Sequence, residues 1–328
     1  MTTSNKNIFI AGLSRSGTTW VANILGSAHG VRLLKEPDNE KYSFIGRQWK
    51  QSLHRFPYAS SSQEQNRQVI EFYQSIFNGK YPANQSVVNH ALNRFFRHTA
   101  SNNEGHILRK ELSLAQEQGR FSSKKNLTSF LFRLTSDNWA SYSRQVVKSV
   151  HAGLCLSLIA DHFDPWIVLL FRHPANIIAS SLELDIKDAD RGLINRLELQ
   201  SVLEDYSDDI QRLEDPLSKM GFQIGLFYYL WEQEIVKRPS CIIRTHEDLC
   251  VDPVARFENL FNALDLPWNK TIANTIQTMN KPGKGLKTFR VLEDLNNKWK
   301  RVLNNEQIRK IQQGYSILPV KHYEDFAI

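Results

Sequence analysis

Residues 8 to 20, Ile-Phe-Ile-Ala-Gly-Leu-Ser-Arg-Ser-Gly-Thr-Thr-Trp, join a short apolar run to a glycine-bearing loop and the start of a helix. Gly12 and Gly17 stand at the spacing of the nucleotide-kinase loop G-x-x-x-x-G-K-S/T, but Thr18 occupies the lysine position. Glycines let the backbone curl so that successive N–H groups converge, and a helix beginning near Thr18 turns its positive end toward an anion. The loop is therefore expected to hold a phosphate or sulfate. It lacks the lysine that reaches a β- or γ-phosphate, and Arg15 offers a cation from inside the loop instead. Such chemistry suits a cofactor with one anhydride to a small anion better than a nucleoside triphosphate. A second anion site is expected where the apolar run Trp166–Phe171 ends in Arg172-His173-Pro174, with Ser180 eight residues after the arginine. A strand end that leads into a helix is where doubly wound sheets place ligands, and arginine with a serine hydroxyl makes a phosphate clamp. Two such sites imply a nucleotide phosphorylated at both ends.

The hexapeptide Arg15-Ser16-Gly17-Thr18-Thr19-Trp20 resembles the 5′-phosphosulfate loop of sulfotransferases, which take a sulfuryl group from 3′-phosphoadenosine 5′-phosphosulfate (PAPS) and release PAP. Arg172 and Ser180 match the pair that grips the 3′-phosphate in that family. Further along, Thr245-His246-Glu247-Asp248-Leu249 with Asp252-Pro253 is similar to the family's Tyr-Glu-Asp-Leu segment, His246 standing in the tyrosine's place. Lys284-Gly285, Trp299-Lys300 and Asn305-Glu306-Gln307 are similar to the segments that close over PAPS. The motifs follow the family's order across nearly the whole chain, leaving about 37–140 unmatched.

This resemblance implies metal-independent, in-line sulfuryl transfer to a hydroxyl or amine of a carbohydrate or polar natural product, guanidinium-bearing alkaloids included. It implies that Arg15 and the amides of Ser16, Gly17, Thr18 and Thr19 hold the 5′-phosphate and that Trp20 stacks on adenine. It also places Lys284 and Arg290 near the 3′-phosphate, and Lys148 beside the transferring group. Two residues compete to take the acceptor's proton. The small-molecule cytosolic branch uses a histidine two residues after the strand lysine, where this chain has Val150 and then His151. Carbohydrate and tyrosylprotein sulfotransferases use a glutamate beyond the first helix, where Glu36 stands. Glu36 is the expected base, because a carboxylate in a pocket poor in water suits proton abstraction near neutrality. The bland alternatives are a loop carboxylate paired with Lys35 or Lys41, a surface strand end at Lys148 and a core tryptophan at Trp20.

The elements that must position these groups read as strand 8–12, helix 18–28 and strand 31–34, then a polar stretch to about 140 with helical segments near 64–77 and 86–98. Strand 145–148, helix 153–163, strand 166–171, helix 174–181, charged helical sequence over 186–238, strand 240–244 and helix 254–264 follow. Strands alternating with helices predict an α/β fold, P-loop-like, with three α/β/α layers around a central parallel sheet. One sulfotransferase domain over 1–328 is expected, its mostly helical insertion at about 37–140 forming an acceptor-side cap.

A 41% hydrophobic content over 328 residues supports one large core. The net charge of +7 suits a cofactor with several negative charges, and the expected partner is a small-molecule or glycan acceptor rather than nucleic acid. Cys155, Cys241 and Cys250 form no disulfide or zinc pattern, so no metal is expected. The first residues lack signal-peptide architecture and the apolar run after them is too short to span a bilayer, which predicts a cytoplasmic protein without a membrane span. The oligomeric state is left open. Two alternatives remain: a non-catalytic nucleotide-binding protein, against which Arg15, Lys148, Arg172 and Ser180 together argue, and a kinase-like phosphotransferase, which would need a loop lysine and a Walker B acid where Thr18 and Arg172 stand.

Overall fold

The computed structural model describes residues 6–40, 43–59, 62–81, 142–186, 192–279 and 296–324. Five strands, β1 (Ile8–Gly12), β2 (Val31–Lys35), β3 (Arg144–Ser149), β4 (Trp166–Phe171) and β5 (Cys241–Thr245), form one sheet in the order β2-β3-β1-β4-β5. Every pairing is parallel. Central strands β1 and β4 are continuous apolar runs because a parallel sheet is covered on both faces.

The period of two along each strand divides the core in two. Phe9, Val147, Leu169 and Phe171 face one layer, while Ile8, Ile10, Val146, Val168 and Leu170 face the other. The first layer contains α3 (Gln63–Phe77), α4 (Leu156–Phe163), α5 (Pro174–Leu182), α6 (Pro216–Glu234) and α10 (Asn305–Tyr315). The second contains α1 (Thr18–Leu25), α8 (Pro253–Ala263) and α9 (Lys270–Met279). Short helices α2 (Phe44–Trp49) and α7 (His246–Val251) follow β2 and β5. The fold is the expected three-layer α/β/α arrangement.

Helix α3 falls inside the segment expected to form an acceptor cap, yet Val69, Phe72, Tyr73 and Ile76 pack into the core and Tyr73 meets Phe9 edge-on at 5.6 Å. The helix expected near 86–98 and most of the cap lie outside the described residues. Helices start where side chains can satisfy free amides: Asp215 accepts from Leu217 N at 2.8 Å, Asp252 from Ala255 N at 3.2 Å, and both precede a proline. The free cysteines Cys155 and Cys250 are buried and Cys241 is half-buried. No helix among the described residues is long and apolar enough to cross a membrane.

Candidate active site

The strand order places the C-terminal ends of β1 and β4 side by side at the point where connections leave in opposite directions, and β3 lies on the other flank of β1. Arg15 and Arg172 follow β1 and β4, Lys148 lies at the end of β3, and Glu36 follows β2 beyond it.

The loop after β1 turns tightly. Ser16 N–H and Ser16 Oγ both donate to the Leu13 carbonyl, at 3.1 and 2.7 Å. The Ser16 amide, expected at the anion, closes this turn. The amides of Gly17, Thr18 and Thr19 have no acceptor among the described residues, as the first turn of α1 requires. Gly17 has φ 96°, and a Cβ there would fall 2.4 Å from His246 Cδ2. Only glycine fits both that backbone and that contact. Thr18 is buried and Thr19 is exposed.

Arg15, at φ 72°, directs its side chain across the crevice, where Nε donates to Ser180 Oγ at 3.0 Å. Its carbonyl accepts from Arg172 Nη1 at 2.7 Å. The residues expected at the 5′- and 3′-phosphates are thus braced against each other. Arg172 is buried, and its Nε has no hydrogen-bond partner among the described residues. A buried donor left unpaired is costly, so this guanidinium is set up for an acceptor from outside the described chain. Burial pulls its pKa down, while the charge of Glu247 opposes the shift.

His246 is buried between Gly17, Trp20 and Cys250, with Nδ1 3.6 Å from Cys250 Sγ. Burial first, then the Arg172 charge, hold its imidazole well below the usual range, so it is a neutral wall of the loop. Trp20 is 6% exposed and meets Phe257 edge-on at 4.9 Å, which places its ring in the core under the loop. Lys284, Gly285 and Arg290 lie outside the described residues.

On the other flank, β2 and β3 pair so that Lys35 sits opposite Lys148. Glu36 then turns at φ 52°, and its N–H donates to the Lys148 carbonyl at 2.7 Å. Lys148 Nζ donates to Glu36 Oε1, and Val150 N–H donates to Glu36 Oε2 at 3.2 Å. The two expected catalytic groups therefore form an ion pair, both largely buried. Lys35 instead donates to Asn23 Oδ1 at 3.3 Å.

His151 is placed differently. Its ring is 1% exposed, with Nδ1 2.7 Å from Lys50 Nζ and 3.3 Å from Glu40 Oε2, and with Nε2 accepting from Arg55 Nε at 3.4 Å. Glu40 is held low despite its burial by the bond to His151 and the charge of Lys50, while burial lowers Lys50.

Two supporting residues were not singled out from sequence. Asp38, fully buried, accepts from Tyr73 Oη at 2.9 Å and from Ser149 Oγ at 2.5 Å. Ser149 Oγ in turn accepts from the His151 and Ala152 amides at 2.9 and 3.0 Å, fixing the turn after β3. The sequence signal was Asp38 two residues past Glu36 and Ser149 next to Lys148, but their meeting depends on strand order.

Residues 7–270 match the model of the sulfotransferase family. The chain belongs to the sulfotransferase family. Similar solved structures include a sulfotransferase domain from the curacin biosynthetic pathway, at 15% identity over 96% of this chain and 99% of that one, TM-score 0.44. Retinol dehydratase in a complex with retinol and PAP is similar at 13% identity over 96% of this chain and 83% of that one, TM-score 0.37. None of the curated protein sequences compared matches the chain. Sulfotransferases draw their sulfuryl group from PAPS, and the acceptor-free amides after Gly17 and the unpaired Arg172 Nε suit its two phosphate ends.

Proposed function

We propose that this sulfotransferase transfers the sulfuryl group of PAPS to a hydroxyl or amine of a carbohydrate or polar natural product, with Glu36 as general base. The observation that carries the reading is the Glu36–Lys148 pair at adjacent strand ends, one strand away from the anion-binding loop. The amides of Gly17, Thr18 and Thr19, with Arg15, hold the 5′-phosphate, and Arg172 with Ser180 takes the 3′-phosphate. PAPS supplies a sulfuryl group that passes to the acceptor as its bond to the 5′-phosphate breaks. Glu36 takes the acceptor's proton, and Lys148, with further N–H groups beyond the one given to Glu36, offers positive charge to the sulfuryl oxygens. Fixed cations and amides do this work without a metal.

The test is ligand stabilisation. PAP is expected to raise Tm in the presence of a chelator, the shift reflecting about 2.7 kcal/mol of stabilisation at one hundred times its Kd. Equal stabilisation by ATP, or a strict magnesium requirement, would overturn the reading. Arg172→Ala is expected to weaken PAP far more than adenosine 5′-phosphosulfate, which has no 3′-phosphate.

A further inference from the structure

The end of β4 is built to hold Arg172 in one orientation. Tyr228 Oη accepts from the Arg172 N–H at 3.0 Å and donates to the Arg172 carbonyl at 2.7 Å. The next amide, His173 N–H, donates to Glu247 Oε1 at 3.1 Å, and Tyr323 Oη donates to Glu247 Oε2 at 2.6 Å. Both oxygens of this carboxylate are therefore engaged by groups other than Arg172, although its charge bears on the buried guanidinium.

Tyr323 arrives on a strap formed by residues 315–323. Helix α10 lies so close to α6 that a Cβ at Gly314 would fall 1.8 Å from the Ser218 carbonyl oxygen, which fixes where the strap begins. Tyr315 Oη donates to the His322 carbonyl. Glu232 of α6 accepts from the Lys321 and His322 amides at 3.0 Å and lies 2.6 Å from His322 Nδ1. The His322 ring stacks on Phe171 at 3.9 Å and 4°. Tyr323, at φ 62°, then turns toward Glu247.

We propose that Tyr323 is a specificity-determining positioning residue: by holding Glu247 on the His173 amide, it keeps that carboxylate off Arg172 and leaves the guanidinium for the 3′-phosphate of a nucleotide. This rests on the assignment of Arg172 to that phosphate. Without the tyrosine hydroxyl, Glu247 Oε2 loses its donor in a half-buried setting, and the nearby guanidinium becomes its best replacement partner. The carboxylate then competes with the phosphate.

The experiment is calorimetry on the full chain with PAP and with adenosine 5′-phosphate, the ratio of affinities reporting the 3′-phosphate alone. Tyr323→Phe is expected to lower the ratio roughly tenfold while changing adenosine 5′-phosphate affinity by less than about twofold. Adding Glu247→Gln is expected to restore the ratio, because a neutral amide does not compete for a guanidinium. An unchanged ratio in Tyr323→Phe, beside a collapsed ratio in Arg172→Ala, would overturn the proposal and leave the cofactor assignment standing. Parallel weakening of both ligands would reduce Tyr323 to a packing role, and failure of Glu247→Gln to restore the ratio would remove the competition argument. A wild-type ratio near one would overturn the cofactor assignment and the proposal together.

Discussion

Glu36 and Lys148 neutralise each other in a largely buried place, so each is best tested by a substitution that keeps its shape. Glu36→Gln keeps the shape and one acceptor oxygen, enough for Lys148 Nζ or for the Val150 amide but not for both, and it removes basicity. We expect kcat to fall by roughly 10²–10⁴ with PAP affinity near wild type, measured by steady-state kinetics and calorimetry. Loss of PAP binding would show instead that the carboxylate organises the loop. His173 gives a prediction in pH. Burial, then the charges of Lys300 and Arg172, push its imidazole down to about 4, and its Nδ1 accepts from Ala175 N at 3.2 Å as the cap of α5. The unfolded chain, with a histidine near ~6.5, binds more protons than the folded one between those values. The contribution is therefore fully present above pH ~6.5 and is lost as pH falls toward ~4, about 3 kcal/mol in all at ~1.4 kcal/mol per pH unit. Thermal melts across this window should be flatter for His173→Asn, which keeps a capping side chain.

At the scale of elements, the β1–α1 loop works because its backbone is held in a shape that most residues resist. Gly17→Ala places a methyl on a positive φ and against the buried His246 ring. The expected result in thermal shift assays is a folded protein that PAP no longer stabilises. Combining it with His246→Ala removes the steric conflict but not the backbone strain of roughly 1–2 kcal/mol, so only part of the PAP response should return. Complete recovery would mean that the ring contact, not the backbone, makes Gly17 necessary.

Across the whole molecule, the crossing of α6 and α10 ties core stability to the nucleotide site. Gly221 and Gly314 allow backbone contact between the two helices: added Cβ atoms would lie 2.1 Å from the Ile311 carbonyl oxygen and 1.8 Å from that of Ser218. Gly314→Val must push the helices apart, costing about 1–3 kcal/mol or more in urea unfolding. It should also shift the strap and lower PAP discrimination. Tyr323→Phe should lower discrimination with little change in unfolding midpoint, and this contrast separates the two levels.

Local chemistry was legible in the sequence because it depends on neighbours along the chain. The glycine spacing after an apolar run was enough to expect an anion loop, the alternation of strands with helices was enough for the three-layer fold, and the resemblance of Arg15–Trp20 and the Arg172-His173-Pro174 strand exit to known motifs pointed to the family. Glu36 and Lys148 could be singled out, but not their pairing, which needs β2 and β3 to be adjacent although more than one hundred residues separate them. The role of α3 depended on which face of β1 needed cover. His151 stood at nearly the right distance from Lys148, yet the turn capped by Ser149 carries its ring to Lys50 and Arg55. The cross-brace from Arg172 to Arg15 to Ser180 and the strap that brings Tyr323 to Glu247 arise only when strand ends distant in sequence converge. Sequence fixes which groups can ionise, donate or curl, because those are properties of single residues and short runs. Tertiary structure decides which of them share a buried space, and that decides which charge is neutralised and which is left for a ligand.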